Sequence, residues 1–203
     1  MLGIVDYGVG NLFSLSASLK YLGVAAEVTS DADVLRRCDR LILPGVGAFG
    51  DAAQKLRDSR LDEVVKSFAK EGKPVLGVCL GMQLLFSESF EYGKNAGLGL
   101  LDGAVRPLSE RKEVAGKKIP QMGWNSLIQK KPCPILTDVA DGEYFYYVHS
   151  FFADGDGEYC YAYSDYGVRV AGVVGKDNVF GTQFHPEKSG DAGLRILRTF
   201  SKL

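Results

Sequence analysis

The chain has 203 residues, of which 46% are hydrophobic and 24% charged, with a formal net charge of -1. That length buries a sizeable core without disulfides, and the near-neutral charge argues against nucleic acid or an anionic membrane surface as partner. No apolar run approaches the roughly 18 residues that span a bilayer, no basic leader precedes Leu2–Asp6, and four scattered cysteines form neither a CxxC metal pattern nor a disulfide framework, so a cytoplasmic protein without a metal is expected.

Leu2–Asp6 reads as a short buried strand, and Gly8-Val9-Gly10 as a turn. Asn11 stands where it can cap a helix carrying Leu12, Leu15, Leu19 and Leu22, which Gly23 closes. Ala25 to Thr29 predicts a second strand and Arg40 to Leu43 a third, running into Pro44-Gly45-Val46-Gly47-Ala48-Phe49-Gly50-Asp51. Leu61, Val64, Val65, Phe68 and Ala69 mark an amphipathic helix ended by Gly72. Pro74 to Val78 is apolar throughout, as a central parallel strand is. From about Ala104 the segments become short, aromatic and β-branched. Gly123–Ile128, Tyr144–Val148, Tyr159–Tyr163 and a hairpin of Val168–Val174 with Val179–Phe184 read as strands, Glu110 to Lys118 as an exposed loop, and Leu194, Leu197 and Phe200 as a final helix. The pattern predicts an α/β fold: a doubly wound, mostly parallel sheet flanked by helices, with additional antiparallel strands in the C-terminal half, in one domain covering 1–203.

Chemistry concentrates at Gly77-Val78-Cys79-Leu80-Gly81-Met82-Gln83. A buried strand stops at a cysteine and turns at once into helical spacing, with glycines two residues either side, which is the nucleophile-elbow pattern with Cys in place of Ser. The expected helix carries Leu80, Leu84 and Leu85 with Met82 and Phe86 beside them. Cys38, Cys133 and Cys160 have no such setting and read as buried small hydrophobes. Gly8–Phe13 fails as a dinucleotide fingerprint because Phe13 replaces the third glycine. Gly45–Gly50 has P-loop spacing, but Asp51 and Ala52 stand where Lys and Ser or Thr belong. The second turn either offers backbone N–H groups to an anion forming at Cys79 or is simply a tight turn.

Only two histidines can supply a base, His149 and His185. Pro186 keeps His185 extended, so His185 and Glu187 project the same way and the carboxylate can hold one ring nitrogen while the other faces the thiol. His149 has no acid two residues away and suits a structural or substrate-lining place. Gln83, four residues after Cys79, falls on the same helical face and is a candidate substrate contact.

Together, Pro44–Gly47, Gly77–Gln83 and Phe184–Glu187 resemble the class I, triad-type glutamine amidotransferases. The narrower match, on Asp6–Asn11, Pro44–Gly47, Pro120–Asn125 and His185–Ser189, is to the family of glutaminase subunits of imidazole glycerol phosphate synthases. The resemblance implies hydrolysis of glutamine to glutamate and ammonia through a thioester, with catalytic Cys79, His185 and Glu187, an oxyanion hole of the Val46 and Leu80 backbone N–H groups, and no cofactor. It implies a glutamine site lined by Gly47, Gln83, Tyr146, Ser150 and Phe151. It implies delivery of ammonia to a cyclase subunit, a (β/α)₈ barrel, in histidine biosynthesis, docked on Met122, Trp124, Asn125 and Lys188. Two other readings stay open: the glutaminase component of another amidotransferase, and a stand-alone thiol hydrolase built on the same elbow.

Overall fold

The computed structural model describes residues 1–154 and 157–203. Strands and helices alternate through the first half: β1 (Leu2–Val5), α1 (Leu12–Tyr21), β2 (Ala26–Thr29), α2 (Ala32–Arg36), β3 (Arg40–Leu43), α3 (Phe49–Asp58), α4 (Leu61–Lys70), β4 (Val75–Val78) and α5 (Leu80–Leu84). The second half is mainly strands: β5 (Phe86–Ser89), β6 (Asn95–Ala96), β7 (Leu101–Pro107), β8 (Gln121–Ser126), β9 (Ile128–Gln129), β10 (Tyr144–His149), β11 (Phe151–Ala153), β12 (Cys160–Asp165), β13 (Arg169–Lys176) and β14 (Val179–Thr182), closed by α6 (Gly190–Phe200).

The main sheet runs β2-β1-β3-β4-β14-β13-β12-β9, parallel from β2 to β14 and antiparallel beyond. Helices cover both faces because successive side chains of its strands alternate between two cores. Leu41, Leu43 and Val75 pack with Phe49, Leu56, Leu61, Val65 and Phe68 of α3 and α4. Ile42, Leu76 and Val78 pack with Leu15 and Leu19 of α1 and Ile196, Leu197 and Phe200 of α6. A two-stranded β10-β8 sheet and a β11-β7-β5-β6 sheet lie apart from it. The latter is mixed: β5 and β7 run parallel, which the antiparallel expectation for this half did not include.

Several local expectations need correction. Asn11 sits at the N-cap of α1, but its side chain makes no capping hydrogen bond. The helix after Cys79 ends at Leu84, and Phe86 begins a strand. The reason is competition for carbonyls: the backbone N–H groups of Leu98, Gly99 and Leu100 take the oxygens of Leu84, Phe86 and Leu85, so the helical ladder cannot continue. Helices α2 and α3 were not anticipated. Charged Glu110–Lys118 holds 3₁₀ turns that bury Val114.

Three neighbouring strands end at one level and create the site. β3 runs into Pro44–Gly47, β4 into Cys79, and β14 into Gln183–His185. Val78 lies opposite Thr182, and the Cys79 N–H bonds the Thr182 oxygen at 2.7 Å. Ligands of open α/β sheets gather beyond these carboxyl ends.

Candidate active site

Cys79 adopts φ 54° and ψ -109°, a backbone conformation rare for a residue with a side chain and costing of order 1–3 kcal/mol unless its surroundings enforce it. The enforcement is steric. A Cβ on Gly77 would fall 2.6 Å from the Gly81 oxygen, and one on Gly81 would fall 1.9 Å from the Leu43 oxygen. The elbow is therefore wedged between its own helix turn and β3. The Pro44–Gly47 turn presses on it directly, since a Cβ on Gly45 would meet the Gly81 nitrogen at 2.7 Å. Tyr7 holds this turn from beneath, donating to the Pro44 oxygen at 2.7 Å. Burial, then the charge at Cys79, pushes the Tyr7 hydroxyl pKa up, so it remains a donor.

Above the elbow lies a cavity of about 340 Å³, within the range of small-molecule sites, lined by Val46, Gly47, Cys79, Leu80, Gln83, Glu91, Tyr92, Val148, His149, Ser150, Phe151 and His185. The other cysteines are buried elsewhere and do not line it. Leu80 opens α5, so its N–H has no helical partner.

His185 and Cys79 line the same cavity, and the His185 Nδ1 lies 2.8 Å from Glu187 Oε1. Burial opposes charge on His185, but the neighbouring Cys79 and Glu187 outweigh it and raise its pKa to about 9. His149 behaves oppositely. Its Nδ1 donates to the Phe151 oxygen at 2.8 Å, since a carbonyl only accepts, and burial pushes its pKa down to about 4, aided by repulsion from His185. It is a neutral wall of the cavity, whereas the surroundings of His185 favour its taking up a proton.

Of the residues expected to bind glutamine, Gly47, Gln83, Ser150 and Phe151 line the cavity, and Tyr146 does not. Alternation along β10 sends Tyr147 and His149 inward and leaves Tyr146 half-buried against Trp124, its ring centroid 6.2 Å away. Tyr146 thus belongs to the outer patch. Met122 and Trp124, 64% and 53% exposed, share its face of the β10-β8 sheet; half-buried Asn125 takes the other face, its Oδ1 accepting from Gln121 Nε2 at 2.6 Å, and Lys188 is exposed on the segment after His185. The Tyr146 N–H donates to Ser189 Oγ, joining the patch to the segment that carries the base.

Glu91, Tyr92, Val148 and Gln183 were not singled out by sequence. Glu91 is buried, and its Oε2 accepts from the Phe49 N–H at 2.7 Å, capping α3 from 42 residues away. Burial raises its pKa, as does repulsion from Asp51, against the lowering effect of the Phe49 bond. No local signal separates it from Glu88, which pairs with Lys94 at the surface. Among the described residues no group of metal-ligating side chains gathers, and no helix is long and apolar enough to cross a membrane.

Residues 3–202 match the family model described as glutamine amidotransferase class-I. The chain is 50% identical over its full length to the imidazole glycerol phosphate synthase subunit HisH of Wolinella succinogenes, covering 100% of that protein. It is 49% identical to the HisH subunit of Bacillus subtilis, covering 100% of this chain and 96% of that one. Its fold is shared with a crystal structure of a glutamine amidotransferase (TM-score 0.76, 19% identity, 100% and 99% of the two chains). It is shared also with a chain of the PurLQS structure from Thermotoga maritima (TM-score 0.76, 23% identity, 98% and 96%).

Proposed function

The chain belongs to the class I glutamine amidotransferases, and from that premise we propose that the cavity over Cys79 is where glutamine loses its amide nitrogen. The chain is the glutamine-hydrolysing subunit of an imidazole glycerol phosphate synthase and serves histidine biosynthesis, as its half-identical, full-length relatives do. The observation that carries the site reading is a cysteine strained onto an elbow that shares one cavity with a histidine oriented by a buried carboxylate.

Cys79 passes its proton to His185 and attacks the carboxamide carbon. The tetrahedral oxyanion is held by the Leu80 and Val46 N–H groups; one such donor is worth on the order of 10² to 10³ in rate. His185 gives its proton to the departing ammonia, leaving the thioester on Cys79. It then takes a proton from water, the hydroxide adds to the thioester carbon, and glutamate leaves as the thiol is restored. Glu187 keeps the ring turned toward sulfur throughout. Gly47, Gln83, Ser150 and Phe151 hold the substrate. Glu91, the one carboxylate on the cavity wall among the described residues, faces its α-ammonium.

The synthase has a second, cyclase subunit that consumes the ammonia. We take it to be a (β/α)₈ barrel docking on Met122, Trp124, Asn125 and Lys188, with Tyr146 added on the ground of its contact with Trp124. An exposed Trp packed edge-on to a Tyr is a common interface anchor. The test is glutamate release from glutamine, with and without a purified cyclase subunit and its ligand. Turnover stimulated by the partner and lost in Cys79→Ala is the expected result. Turnover that survives Cys79→Ala overturns the reading.

A further inference from the structure

The segment that carries the base also carries a side chain unused in the steps above. Gln183 is fully buried, and its carboxamide spans two parts of the site. Its Oε1 accepts from Gln83 Nε2 at 3.1 Å, and its Nε2 lies 3.8 Å from Cys79 Sγ. The two ends of a carboxamide have the same shape, so its orientation is set by its partners. Here a backbone carbonyl sets it. Gln83 Nε2 donates to the Phe151 oxygen at 2.8 Å, and a carbonyl cannot donate, so that end of Gln83 is NH₂. The same NH₂ faces Gln183, whose facing end is therefore oxygen. The end of Gln183 directed at sulfur is then the donor. The main chain fixes the base of the side chain, with the Gln183 N–H bonded to the Gly172 oxygen at 2.9 Å.

We infer that Gln183 is a positioning residue for the nucleophile: its carboxamide donates to the Cys79 thiolate, and Gln83, inside the glutamine cavity, keeps that donor pointed at sulfur. This rests on the reading of Cys79 as nucleophile. The physical need is plain. Cys79 is 7% exposed, and an anion so enclosed needs donors in place of water. The Val148 oxygen, 4.0 Å from the sulfur, only accepts and offers the anion nothing. Once ionised, the sulfur has the Gln183 carboxamide as a side-chain donor, with His185 on the same cavity wall. Other titratable groups about it are Tyr7, neutral His149, Glu187 behind His185, and Glu91 across the cavity. All remain when Gln183 is changed, so a shift then reports its carboxamide.

The test is the pH profile of iodoacetamide alkylation at Cys79, read by peptide mass spectrometry on the full chain to separate it from Cys38, Cys133 and Cys160. Gln183→Met fills the space without a donor. Gln183→Glu keeps an acceptor for Gln83 but turns an acceptor toward sulfur. The profile is expected to move alkaline by about one pH unit in Gln183→Met, roughly tenfold in reactivity well below the wild-type midpoint, and further in Gln183→Glu. Folded variants whose profiles coincide with the wild type's overturn the inference. A second measurement needs no variant at position 183. The side-chain amide protons of Gln183, followed by NMR in the wild-type protein, are expected to shift with the same midpoint as alkylation, and to stay still in Cys79→Ala. A flat wild-type response overturns the inference even if neither Gln183 variant folds. If Cys79 in the wild type reacts no faster than the other cysteines, the nucleophile reading itself falls. If it reacts faster and only the Gln183 results fail, that reading stands.

Discussion

Replacing Glu187 with Gln removes a charge while keeping every heavy-atom position. The wild-type contact is Nδ1 to Oε1 at 2.8 Å, between side chains only 3% and 1% exposed, so solvent does not screen it. A hydrogen bond to a charged group contributes about 1.5–3 kcal/mol and is roughly twice as strong as a neutral one. Losing the charge therefore costs about 1–1.5 kcal/mol, close to tenfold in rate. The amide's orientation then decides the rest. Glu187 Oε2 has no partner among the described residues, so an NH₂ placed there finds no acceptor, whereas one turned toward Nδ1 does. That choice forces the ring proton onto the nitrogen facing Cys79, where a base needs a lone pair, and the analogous loss in a serine triad runs to about 10⁴. Glu187→Gln is thus expected to lower kcat for glutamate release by about 10³ to 10⁴. The assay is steady-state glutamate formation in the presence of the cyclase, with the melting temperature measured alongside. A loss no greater than the tenfold due to charge would refute the tautomer argument. Activity equal to the wild type's would refute the assignment of Glu187 altogether.

Two further outcomes follow from the cavity wall. Glu91→Gln keeps an oxygen for the Phe49 N–H but loses the charge that faces the substrate ammonium. It is expected to raise KM for glutamine about tenfold with kcat little changed, and an unchanged KM removes Glu91 from substrate binding. His149 is held at about 4, below its ordinary 6.5, so the unfolded chain takes up a proton that the folded one refuses. Its contribution to stability is present above pH 6.5 and drains away as pH falls toward about 4, about 3 kcal/mol across that window. Urea unfolding of the wild type and His149→Gln as pH is lowered measures it; parallel stability curves would show that His149 is not buried neutral.

What the sequence determined is what depends on near neighbours. The elbow was legible because strand, cysteine and helix are contiguous and Gly77 answers to crowding within that turn, whereas Gly81 answers to β3. His185 and Glu187 were legible because an extended segment points residues two apart the same way. The parallel sheet followed from the alternation of elements, while its strand order did not. The tertiary structure alone decided which distant side chains meet. Helix α3 is not legible because Ala48 offers no side-chain cap and Glu91 supplies one from the turn between β5 and β6. The Leu80 helix stopped early because residues 98–100 claimed its last carbonyls. Tyr146 turned outward, and Gln183 was drawn between Gln83 and Cys79, because strand register sets the face a residue takes. Periodicity marks the faces of a strand, but what stands opposite each face depends on chain brought in from elsewhere. For this protein that division runs through the site itself, with the triad written locally and the walls and supports of its cavity assembled by packing.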